Sequence, residues 1–198
     1  MSSQVLTHDR PPSGEHPDST PVPYGRVAMW WFLASEIAIF GGLITVYIMN
    51  RLVHPEWGAE AHHTVQAAGA LNTMVLLTSS LSAVLAHDRA HLGDGVGAAK
   101  RIYFTLLGGL VFLCVKAFEY THEIGEGFTP LKSTFWAFYF LMTGLHALHV
   151  VGGMTALFVV AQGAKRGKNL QRVEYAGMYW HLVDIVWIFL FPLLYIAS

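Results

Sequence analysis

The sequence predicts an all-α integral membrane protein, a bundle of five transmembrane helices. Three observations carry that reading. Of the 198 residues 54% are apolar and 13% are charged, with a mean hydropathy of +0.43; the charged share is about half that of a soluble domain. The apolar residues gather into five runs, each near the roughly 20 residues a helix needs to cross a bilayer core. The basic residues divide unevenly among the segments between those runs. A membrane β-barrel is excluded because the runs lack the alternation of ten-residue strands. A disordered chain would need low hydrophobicity and high charge. With a net charge of −1 there is no general field to attract nucleic acid, and none is expected as a partner.

Residues 1–25 read as a polar tail on the cytoplasmic side, broken by Pro11, Pro12, Pro17, Pro21 and Pro23. Its prolines and charges deny it a core. No positive segment leading into a short apolar run and a cleavage site is present, so the first span is expected to act as its own signal. Residues 26–198 read as one five-helix domain, with spans at about 27–49, 67–86, 102–121, 134–162 and 178–197. The first span carries Gly41 and Gly42, the third Gly108 and Gly109, and the fourth Gly144, Gly152 and Gly153. Such small residues predict close helix approach. The second span is rich in Asn72, Thr73, Thr78, Ser79, Ser80 and Ser82, and is expected to be covered by protein more than by lipid. Cys114, the single cysteine, lies in an apolar run and reads as a small buried residue.

Basic residues set the orientation. Arg10, Arg26, Arg89, Lys100, Arg101, Lys165, Arg166, Lys168 and Arg172 fall on one side and only Arg51 and Lys132 on the other. Nine against two places the N-terminus in the cytoplasm and the C-terminus on the outer, periplasmic side. Trp30, Trp31, Trp136, Tyr179 and Trp180 lie near span ends, where such rings sit at the interface or pack between helices.

Ionisable residues inside spans are costly, so each needs a reason. Glu36 lies near mid-depth of the first span, where it serves either as a proton relay or as a hydrogen-bonding group toward a neighbouring helix. His146 and His149, three apart in the fourth span, share a helix face. They read as interhelical hydrogen-bonding groups with Glu36 as a partner, and metal or haem binding is the lesser alternative. Lys116 and Glu119 are spaced as a local ion pair, with Lys116 able to snorkel outward. His181 and Asp184 repeat that spacing and read as a hydrogen-bonded pair. His54, His62 and His63 in the first outer loop offer a weak surface metal site. No Walker loop, dinucleotide fingerprint, nucleophile elbow or paired-Cys motif occurs.

Four stretches together carry a resemblance: WFLASEIAIFGGL in the first span, KAFEYTHEI ending the third, FYFLMTGLHALHVVGG in the fourth and YWHLVDIVWIFLFPLLY in the fifth. They resemble the signature segments of haem-copper oxidase subunit III. The resemblance covers nearly everything from Arg26 onward. It implies a non-redox subunit of a proton-pumping respiratory oxidase that reduces oxygen to water, with no catalytic residue and no metal of its own. Haem and copper belong to the partner subunit I. By the same resemblance Glu36, His146, His149, Glu119, His181 and Asp184 are proton-uptake or structural residues, and the subunit stabilises subunit I and holds phospholipid in a cleft. Subunit II and other respiratory subunits are further implied partners, and a bacterial inner membrane the implied location. The mitochondrial-type subunit has seven helices. This chain lacks the first two, as five-helix bacterial members do. Lys116 stands where many members carry glutamine. A cytochrome c oxidase is preferred, against a quinol oxidase or a nitric-oxide-reductase-associated homologue. A small proton channel or transporter and a haem-bearing membrane anchor are the rivals from other classes.

Overall fold

The computed structural model describes residues 24–196. The tail expected over residues 1–25 lies outside them, apart from Tyr24 and Gly25, which open the first helix. Every regular element among the described residues is helical: α1 Tyr24–Val53, α2 Trp57–Ala61, α3 Gln66–His91, α4 Gly95–Gly125, α5 Thr134–Lys165 and α6 Gln171–Phe191, closed by a π-helical turn Pro192–Ile196. Five of these are long and apolar enough to cross a membrane. The helices overrun the predicted spans because an α-helix continues past the apolar stretch into segments whose polar side chains suit headgroups and water. α2 was not foreseen: five residues give too little periodicity to read. The break at Pro192 has a simple cause, since proline cannot donate to the helical ladder.

Helices α3, α4, α5 and α6 form an antiparallel ring in which each packs on the next and α6 closes back on α3. Short loops make this the natural arrangement. The α3–α4 turn uses Gly93 at φ 76°, a conformation that favours glycine. Asp94 then caps α4 by accepting a bond from the Gly97 N–H at 2.8 Å. We call the end of the bundle holding Arg26, Arg89 and Lys165 the basic end. α1 lies outside the ring, parallel to α6. Arg26 of α1 meets Glu174 of α6 at 2.6 Å at the basic end, and Tyr47 donates to the Leu193 carbonyl at 3.0 Å at the far end.

Three of the seven predicted glycines, Gly108, Gly109 and Gly153, make close approaches, while at Gly144 and Gly152 a Cβ would meet a tyrosine hydroxyl only at ordinary contact distance. A Cβ on Gly108 would lie 2.6 Å from the Ser79 Cβ, one on Gly109 2.8 Å from Trp180, and one on Gly153 3.1 Å from Trp180. Gly41 and Gly42 differ, for a Cβ there meets nothing within 4 Å. Close approach at those two is not made among the described residues, because they face away from the ring.

Two other expectations change, for Cys114 and for α3, and the alternatives left open for the tryptophans are decided. Cys114 is exposed; α4 buries Thr105, Gly109, Phe112, Lys116 and Glu119, and Cys114 points away from that stripe. Trp136 and Trp180 are fully buried and so pack between helices, whereas Trp30 and Trp31 are exposed at the basic end. Only one face of α3 is covered. Asn72, Ser79 and Ser82 are buried, but Leu71, Met74, Leu77 and Leu81 are open.

Gly108→Val is expected to lower bundle stability by about 1–3 kcal/mol, the cost of overpacking, because the Ser79 Cβ cannot move aside cheaply. Thermal unfolding of the detergent-solubilised chain checks this, and an unchanged midpoint would contradict the close α3–α4 contact.

Candidate functional site: buried polar groups of the bundle

Glu36 is buried on the inward face of α1. Its Oε2 lies 2.9 Å from His149 Nε2 on α5, the partnership the sequence suggested. The other ring nitrogen, His149 Nδ1, sits 2.7 Å from the Leu145 carbonyl. A carbonyl oxygen only accepts, so Nδ1 carries a hydrogen. Two arrangements satisfy the second bond: a carboxylic acid donating to neutral imidazole, or imidazolium donating to carboxylate. Either way the pair shares a single proton, and that proton can sit on the oxygen or on the nitrogen. Phe40 packs edge-on to the His149 ring at 5.0 Å, and the pair anchors α1 at mid-length.

His146 does not join it. Its ring is fully buried between Phe112 at 5.4 Å and Trp187 at 5.2 Å, and neither nitrogen has a protein partner. Three residues along a helix turn the side chain about 60° from exact overlap. That is enough to send His149 toward α1 and His146 into the ring.

Lys116 does not snorkel. It is buried, and its ammonium spends all three protons: 3.0 Å to Glu119 Oε2, 3.1 Å to the Tyr139 hydroxyl and 2.8 Å to the Tyr195 hydroxyl. Tyr139 donates to Glu119 Oε1 at 2.7 Å. That leaves Tyr195 to donate to the Tyr139 oxygen at 3.1 Å. Every proton of this four-residue set is placed, and the set joins α4, α5 and the π-helical turn. The predicted ion pair is therefore one edge of a closed network. Glu123, one turn along α4 and buried, is left with neither oxygen partnered. Gln66 of α3 adds a bond to the Tyr195 carbonyl at 2.9 Å, satisfying an acceptor freed at the chain's end.

The His181–Asp184 pair is not formed. His181 Nδ1 bonds the Ser80 hydroxyl of α3 at 2.7 Å. Asp184 is buried with neither oxygen partnered. Side chains three apart can meet, but here a closer partner on the facing helix wins. Neighbouring bonds follow the same seam: Trp180 to Ser79 at 3.1 Å and Trp187 to Thr73 at 3.0 Å. In the loop after α1, His54 stacks on Trp57 and lies 2.8 Å from Glu56, while His63 rests on Phe128. Among the described residues no three histidine, cysteine or carboxylate side chains gather round a common point.

Between α1, α5 and α6 lies a largely apolar cavity of about 490 Å³, bounded by Phe32, Gly152, Val160, Tyr175 and Tyr179. Arg172 stands at its basic end. Tyr179 also donates to the His149 carbonyl at 3.3 Å, so the cavity adjoins the Glu36–His149 pair. Sequence reasoning missed Tyr139, Tyr195, Glu123 and Tyr47. The available signal was a tyrosine or carboxylate within an apolar run, since a buried phenol usually finds a partner.

A five-span membrane protein with ionisable side chains buried in its bundle, some bonded between helices and some unpartnered, is the class that this fold and these groups define. The chain matches the family described as cytochrome c oxidase subunit III over residues 13–198, and it belongs to that family. It is 34% identical to cytochrome c oxidase subunit 3 of Corynebacterium diphtheriae over 83% of each chain. It is 32% identical to cytochrome bo(3) ubiquinol oxidase subunit 3 of Pseudomonas aeruginosa, over 85% of this chain and 83% of that one. It is 31% identical to a heme-copper oxidase subunit I+III of Aeropyrum pernix, over 87% of this chain and 22% of that longer one. The chain is thus a multi-pass membrane protein of a haem-copper oxidase complex containing subunit I.

Lys116→Gln strands Glu119 as a buried carboxylate, and losing one partner of a buried pair costs about 3–5 kcal/mol. Adding Glu119→Gln should restore much of that stability. Thermal unfolding of both variants checks it, and equal destabilisation by the single and double changes would refute the charge-pair account.

Proposed function

We propose that the chain is the non-redox subunit III of a cytochrome c oxidase in a bacterial inner membrane, with residue 24 on the cytoplasmic side. Haem and copper lie in subunit I, and subunit II completes the core. The chain's tasks are to stabilise subunit I, to support its proton uptake and to hold phospholipid. The observation that carries this reading is the Glu36–His149 pair, which shares one proton at 2.9 Å beside an apolar cavity. A group that can hold a proton on either of two atoms suits a role near proton uptake. An apolar cavity with a cation at one end suits acyl chains and a phosphate. Glu119, His146 and Asp184, buried in the ring or at its α3–α6 seam, and the half-buried His181, bonded to Ser80 across that seam, are assigned structural roles.

A quinol oxidase is the second reading, favoured by the similar identity to the Pseudomonas aeruginosa subunit. The donor is read by other subunits, so mild-detergent purification from the native membrane decides the matter. Haem bands and cyanide-sensitive oxygen uptake in the purified material are expected, with reduced cytochrome c as the working donor. Uptake only with quinol would select the second reading. A colourless chain that purifies alone would reject both.

Glu36→Ala is expected to weaken the attachment of α1 by about 0.6–1.7 kcal/mol, the range for a membrane hydrogen bond. It should slow proton uptake while leaving the haem spectrum intact. Loss of haem from the assembled oxidase would contradict this. Arg172→Gln is expected to reduce the phospholipid retained per complex, as read by native mass spectrometry. Undiminished retention would place the lipid elsewhere.

A further inference from the structure

Helix α1 is unlike the other four spans. Only 17% of its most apolar stretch is buried, against 28–50% in the others. Its inward face carries Leu33, Glu36, Phe40 and Tyr47. About 150° round the helix, at about 100° per residue, Ala34, Ala38, Gly41, Gly42 and Thr45 form a second face, and all five are exposed. Trp30 and Trp31, 60% and 75% exposed, flank its basic end. Between them opens an apolar groove of about 320 Å³, floored by Val27 and Ala34, which continues the same face.

Glycine inside a helix costs roughly 0.8–1.0 kcal/mol relative to alanine. Gly69, Gly108, Gly109 and Gly153 offset that cost by admitting a neighbour at close range. Among the described residues Gly41 and Gly42 meet no neighbour within 4 Å, as the buried Gly177 also does not, but unlike Gly177 they are exposed at mid-span, which leaves them open to a helix from outside the ring. Lipid tails fill space but gain little from a narrow backbone groove, whereas a helix packs closely against small residues. The Aeropyrum pernix relative bears the name subunit I+III, with this domain making up 22% of a single longer chain.

We infer that the outward face of α1, from the Trp30–Trp31 groove through Ala38 to Gly42 and Thr45, is the docking seam for a transmembrane helix of the catalytic subunit I. The inference rests on the oxidase reading and adds the face by which the chain attaches. Subunit I would present a helix with bulky apolar side chains opposite the small ones. Because the same face points away from the ring, changes there spare the chain's own packing.

The test uses the complete oxidase purified through a tag on this chain, with haem per mole of chain as the readout. The unaltered chain tests the oxidase reading separately, since it must bring haem with it. Gly42→Leu is expected to lower that ratio roughly tenfold, a change that corresponds to about 1.4 kcal/mol of lost packing. Leu110→Trp, on an exposed position of α4, is expected to leave it unchanged. Ala38→Cys in a Cys114→Ser background is a fold-neutral second variant, and a membrane-permeant cross-linker should join it to the haem-bearing subunit. Wild-type haem recovery with Gly42→Leu would overturn the inference. So would a cross-link only to a second copy of this chain, or none to any protein, which would mean that lipid covers the face.

Discussion

In a bilayer interior there is no water to satisfy a buried polar group, so each must find its partner in protein. The Lys116 network meets that constraint at the densest point of the structure. One ammonium, one carboxylate and two phenols form a set in which every donor has an acceptor. Its four members come from three parts of the chain: Lys116 and Glu119 from α4, Tyr139 from α5 and Tyr195 from the final turn. The set therefore fixes the rotation of α4 and α5 and the position of the C-terminal turn together. The turn in turn supplies the carbonyls that receive Tyr47 of α1 and Gln66 of α3. Without Lys116 the same carboxylate would be a liability.

The ring and α1 are held by different physics. The ring helices meet along their length through buried aromatic side chains and glycines, with Trp180 and Trp187 filling the axis and hydrogen-bonding α3. α1 is held at three levels, by Arg26 with Glu174, by Glu36 with His149 and by Tyr47 with Leu193. Between the first two of these levels lies the cavity beside Phe32 and Tyr179. A helix tied at points leaves space that a close-packed one does not. That space and the shared proton next to it are the features that connect this architecture to lipid and proton chemistry.

Orphaned polar groups mark where the chain accepts cost. Glu123, Asp184 and His146 are buried without partners among the described residues, unlike Glu119, which is tied twice. All three lie inside the ring or at its α3–α6 seam, away from α1. Satisfied and unsatisfied groups lie close together, Glu123 one turn from Glu119 on α4, and the unsatisfied ones sit between elements already joined by other contacts.

The sequence by itself determined the number of spans, because a bilayer demands a run of apolar residues of fixed length, and that demand is local. It put Lys116 and Glu119 within reach of each other as well, since residues three apart share a helix face, though the surroundings decide whether such a pair closes. It also pointed to Glu36 and the fourth-span histidines through the cost of ionisable groups in lipid. Only the tertiary structure decided which histidine receives Glu36. His146 and His149 differ by a small rotation, and the placement of α1 selects between them. Tertiary structure likewise broke the apparent His181–Asp184 pair, since Ser80 on the facing helix competes for the ring. It brought Tyr139 and Tyr195 to Lys116 from 23 and 79 residues away, and it turned Cys114, Gly41 and Gly42 outward. Those outcomes depend on how whole helices are rotated against one another, a choice made by the sum of all packed side chains and not by any stretch of sequence.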